Sequence, residues 1–65
     1  MPFMTTEELL QQHRFTRADI INLTRLMPSM AVEIQERAAR TLANLRGQLG
    51  RIEADIAIAA AQRAQ

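Results

Sequence analysis

The chain has 65 residues, eight Arg and no Lys against seven Asp and Glu, and a formal net charge of +1. That length allows one small domain, whose own core rarely supplies more than about 3–5 kcal/mol. The absence of Cys excludes disulfides and thiolate metal sites, one histidine (His13) is too few for a zinc site, and without Trp or Tyr the two aromatics, Phe3 and Phe15, make no base-stacking platform.

The N-terminal MPFMTTEE is acidic and lacks the basic and apolar regions of a secretion signal. Thr5-Thr6-Glu7-Glu8 reads as a helix start, with a hydroxyl cap followed by acids in the first turn. Leu9 and Leu10 give this helix a short apolar edge, and its end is expected near His13. Thr16-Arg17-Ala18-Asp19 reads as a second start, a capping-box variant with Phe15 and Ile20 placed as a hydrophobic staple. Ile20, Leu23 and Met27 fall on one face. Pro28 stops the run, because the residue before a proline avoids the helical region. Residues 1–28 are thus expected to form a pair of short helices.

Residues 29–65 are read as one long oligomerisation helix. Ser29 is its expected cap, and no proline or loop cluster interrupts it from Met30 to about Ala64. From Ala38 the apolar positions Leu42, Leu45, Leu49, Ile52, Ile56 and Ala59 follow alternating steps of four and three, the a/d seam of a heptad repeat. Gln35 and Arg63 occupy the outer, polar positions of that seam. Glu33 with Arg37, and Glu36 with Arg40, have the favourable i,i+4 order for ion pairs.

The only two glycines, Gly47 and Gly50, interrupt this helix, and each costs roughly 1 kcal/mol relative to alanine. A hairpin turning at Gly47–Gly50 is one way to use them. The heptad phase does not shift across them, which favours an unbroken helix. Ala43, Gly47, Gly50, Ala54, Ala57 and Ala61 then form a second stripe, of small residues, away from the leucine seam. Such a stripe either admits a close helix neighbour or is a solvent face filled with alanine.

A helix of about 35 residues is ~52 Å long. Two short helices folded back on it would cover its first half at best, leaving Leu49, Ile52 and Ile56 bare. A lone helix of that kind is marginal in water. The expected architecture is therefore all-α, with two short N-terminal helices and one long C-terminal helix forming an intermolecular bundle or coiled coil. Leu42, Leu45, Leu49, Ile52 and Ile56 would carry self-association, as a homodimer or a higher assembly. The seam leaves parallel and antiparallel packing both open.

No catalytic constellation is legible. Glu53 and Asp55 are two residues apart and point to different sides of a helix, and the GxxG of Gly47–Gly50 lacks the strand–loop–helix context of a phosphate loop. Arg37, Arg40, Arg46 and Arg51 would suit an anion pocket between subunits, but nearby acids offer them ordinary partners. Leu9–Leu23, LLQQHRFTRADIINL, resembles a helix-turn-helix, with Leu9, Phe15, Thr16, Ile20 and Leu23 at the motif's apolar and capping positions. It departs from the motif at Leu10, where a small residue is expected, and at Arg14, where the turn glycine is expected. The resemblance implies a DNA-binding regulator with Arg17, Asn22 and Arg25 facing bases and phosphates. Asp19 on the same side and a net charge of +1 oppose it. The favoured expectation is a small, non-enzymatic cytoplasmic protein of a bacterial or phage type, without cofactor or metal. It would bind itself and another protein as an adaptor, inhibitor or assembly component; nucleic acid is the lesser alternative and a membrane is not expected.

Overall fold

Thr5 opens the first helix. Its Oγ1 accepts a hydrogen bond from the backbone N–H of Glu8 at 3.1 Å and donates to the Glu8 carboxylate at 3.1 Å, so cap and third residue fix one another. In the computed structural model, which describes residues 5–63, this helix runs from Thr6 to Leu26 without a break (α1). Phe3 and the outermost residues of both sequence-defined segments, 1–4 and 64–65, lie outside the described residues.

One helix therefore replaces the expected pair. Thr16 and Asp19 resemble a cap only locally, and no proline or glycine lies between Thr6 and Leu26 to enforce a stop. A threonine or aspartate inside a helix costs a fraction of a kcal/mol. Continuity keeps Leu9, Ile20, Leu23 and Met27 aligned on one packed face. Thr24 shows how a mid-helix hydroxyl is accommodated: its Oγ1 donates to the Ile20 carbonyl at 2.7 Å. Without a helix start at Thr16 there is no staple, and Phe15 is left exposed.

The helix ends at Leu26, beside Pro28, but not by the route expected: Met27, the residue before the proline, stays in the helical region at φ −55° and ψ −43°. Met27–Ser29 forms a single 3-10 turn with the proline at its start, and Met30 is extended at φ −87° and ψ 151°. The second helix, α2, then runs from Val32 to Arg63. Its start falls after Ser29, which makes no cap. Instead the Gln35 backbone N–H donates to the Ala31 carbonyl at 2.9 Å, and the Gln35 side-chain amide donates to the Met27 carbonyl at 2.8 Å. The polar outer residue of the seam thus clasps the turn.

The two glycines lie inside α2, and among the described residues none has positive φ. The chain does turn back on itself, but at Pro28 rather than at Gly47–Gly50. Met27 meets Gln35 beside the turn, and His13 meets Glu53 further along; partner numbers rise as α1 numbers fall, so α1 and α2 run antiparallel. From the start of α1 to the turn, the least exposed positions are Thr6, Leu9, His13, Thr16, Ile20, Leu23 and, in the turn itself, Met27. Their steps of three and four mirror the seam of α2. The two stripes face one another along the rod.

This arrangement changes the expected fate of the long helix. At 21 residues α1 is ~31 Å long, against ~48 Å for α2. Starting beside the turn, it reaches past Glu53. Leu49, Ile52 and Ile56 are accordingly half-buried within one chain, not bare.

Thickness is the remaining deficit. Each helix has only one neighbour, and Leu9, Ala38 and Leu42 are the only buried residues among those described. The chain exposes 5450 Å². A globular monomer of its 7.3 kDa would expose about 4,200 Å². The radius of gyration is 14.9 Å, where a globular chain of this length would have about 11 Å. The molecule is a rod of 50 × 20 × 15 Å.

Candidate functional site

The aliphatic seam of α2 is occupied by α1. Leu42 is buried and Leu45, Leu49, Ile52 and Ile56 are half-buried, all at the positions that recur toward α1. The role that the sequence reading gave to a second chain is filled by the chain's own first helix. The reason is the unbroken α1, which is long enough to lie over the whole seam.

The small-residue stripe points outward. Ala43, Gly47, Gly50, Ala54 and Ala57 are exposed, as is Ala61. A methyl group added at Gly47 or Gly50 would meet nothing within 4 Å. Neither glycine is needed for close approach of α1, so within one chain the stripe is an open surface.

Arg17, Asn22 and Arg25 are all exposed on α1. Leu9–Leu23 lies wholly inside that helix, so the turn that defines a helix-turn-helix is missing and no second helix projects as a reading head. Arg14, placed where the motif has its turn glycine, is an ordinary helical residue.

His13 has a structural partner that spacing did not reveal. Its Nε2 lies 3.2 Å from Glu53 Oε2, joining residues 40 apart in sequence. The histidine is largely covered, while the glutamate is more than half exposed. This is the only contact between a basic and an acidic side chain among the described residues; Glu33–Arg37 and Glu36–Arg40 stay beyond pairing distance despite their favourable order. Among the described residues no cluster of acidic and histidine side chains could hold a metal ion. Arg37, Arg40, Arg46 and Arg51 are exposed along α2 and do not converge.

Compared with protein-family models, curated proteins and solved structures, the chain matches none.

Two surface features stand out. The first is a set of large apolar side chains turned to solvent: Phe15 at 62 % exposure and Val32 at 69 %, with Leu10, Ile21, Leu26, Ile34 and Ile58 around half exposed. The second is an open groove of about 390 Å³ at mid-rod, between the helices, lined by Gln12, Phe15 and Thr16 from α1 and by Gln48, Arg51 and Ile52 from α2. The groove exists because the α1 seam is polar and small at Thr16, so the helices do not fill the space beside Ile52. Sequence reasoning missed it: placing Gln48 and Arg51 beside Phe15 requires the hairpin register. Among the described residues no helix is long and apolar enough to cross a membrane.

Proposed function

We propose that this chain works by protein–protein contact and without catalysis: the hairpin associates with a second copy of itself, and the assembly serves as an adaptor, inhibitor or assembly component for a further protein. The supporting observation is the single-layer hairpin, which exposes about 30 % more surface than a globular monomer of its mass. Apolar side chains on both outer flanks make up part of that excess. A helix pair gains a second packed layer when two hairpins stack into a four-helix bundle.

The test is concentration dependence. Sedimentation equilibrium at about 1–200 μM is expected to show a mass above 7.3 kDa that falls on dilution. Melting followed by circular dichroism is expected to rise in midpoint with protein concentration, because association stabilises the folded form by mass action. A folded 7.3 kDa species with a concentration-independent midpoint would overturn the reading. Affinity capture with the assembled protein as bait then identifies the further partner.

A further inference from the structure

We infer that the second copy docks on the flank that carries Phe15, with each chain's Phe15 seated in the groove of the other. This rests on the self-association proposed above and specifies its surface.

The exposed apolar side chains divide unequally between the two flanks. Phe15 borders the groove with Gln48 and Arg51. Leu26 follows Phe15 by eleven residues, three helical turns, and so lies on the same side of α1. Ile34 precedes Gln48 by two heptads and Ile58 follows Arg51 by one, which places both on the groove side of α2. All four are more than half exposed. The other flank of α1 carries Leu10 and Ile21, again three turns apart, at 44 % and 43 %. Val32, at 69 % the most exposed of all, lies one heptad before Ala39 on the side of α2 away from Gln48 and Arg51, so the other flank holds three such residues against four around the groove. Phe15 is the only aromatic among the described residues, and it stands on the groove side.

The groove supplies the complement. A two-fold contact is self-complementary: what one chain inserts, the other must receive. Near the middle of the rod this flank offers both halves, an exposed aromatic and an unfilled cleft beside it. A two-fold axis through this region brings Phe15 of one copy over Gln48, Arg51 and Ile52 of the other, and the reverse. Ile52 gives the ring an apolar floor and Arg51 a cation against its face. Arg51 is the only charged residue lining the groove, so no pair of like charges is trapped within either cleft.

The available area fits such a dimer. A broad face of the rod measures about 50 by 20 Å, roughly 1,000 Å², and stable pairs bury roughly 800 Å² on each partner. A single rod face is thus large enough, and a central aromatic in a desolvated pocket is where binding energy concentrates.

The experiment compares three variants with the parent by sedimentation, with circular dichroism at matched concentrations to confirm helix content. Phe15→Ala is expected to weaken self-association by about 30-fold or more, the loss typical of a central aromatic anchor. Ile21→Glu, on the opposite flank, is expected to leave the dimer constant within about threefold. Phe15→Trp keeps an aromatic and introduces the chain's only tryptophan, so its emission should shift to the blue over the same concentration range in which the mass doubles. A parent chain that stays monomeric sinks both the self-association and this assignment. A dimeric parent that keeps its affinity in Phe15→Ala but loses it in Ile21→Glu overturns the assignment alone. A tryptophan that stays water-exposed while the mass doubles does the same.

Discussion

Replacing both Gly47 and Gly50 with alanine should make the protein more stable, by about 2 kcal/mol. Both residues sit mid-helix with ordinary negative φ, so alanine adopts the same backbone without strain. Neither added methyl group meets an atom within 4 Å, so no steric penalty offsets the gain. Each replacement removes roughly 0.8–1 kcal/mol of helix cost, part of it by narrowing the unfolded ensemble. The two sites share no side-chain partner, so their effects should add. For a domain this small that corresponds to a rise in melting midpoint on the order of 10 °C. Urea unfolding followed at 222 nm at fixed protein concentration measures the free energy, and sedimentation follows association in parallel. With docking on the Phe15 flank, the dimer constant should not change. A double variant that is less stable than the parent, or that dissociates, would show that something packs against the glycines and would refute the reasoning.

Leu42→Ala should cost about 2–4 kcal/mol, because Leu42 is one of three buried residues among those described and its loss opens a cavity in the seam; urea unfolding reads this directly. A double-mutant cycle on His13→Ala and Glu53→Ala should return a coupling of about 0.2–1 kcal/mol, since the glutamate is well exposed, and a value near zero would make the 3.2 Å contact energetically empty. Pro28→Ala should move part of the protein to larger species in size-exclusion chromatography, and an unchanged single peak would remove the role given to the proline.

Much of the hairpin is legible in the sequence, though not which helix covers the seam. The Thr5 cap, the stop at Pro28 and the unbroken heptad phase across the glycines each depend on local spacing or on one residue's geometry, and each can be read without knowing what packs where. The break expected between His13 and Thr16 rested on capping residues, whose preferences are worth about 1 kcal/mol and yield to packing. The missed signal was a second heptad. Thr6, Leu9, His13, Thr16, Ile20, Leu23 and Met27 keep the 3–4 alternation, but the polar His13 and Thr16 at its centre conceal it from a search for apolar residues. Accepting polar members in the repeat would have paired α1 with α2 and removed the argument from bare length. The groove beside Phe15 was out of reach in any case, since it depends on the distance between two helices.

The short link at Met27–Ala31 has a consequence for how copies of the chain can entangle. Because both stripes are heptads, the first helix of one molecule would fit the second helix of another as well as it fits its own. Such an exchange of arms becomes open-ended if the link straightens and the two helices fuse into one. Pro28 stands in the way: inside a continuous helix it lacks the amide hydrogen and strikes the preceding turn, a penalty of about 3 kcal/mol. The proline thereby opposes the straightened form, and the closed pairs proposed above would be favoured over runaway fibres.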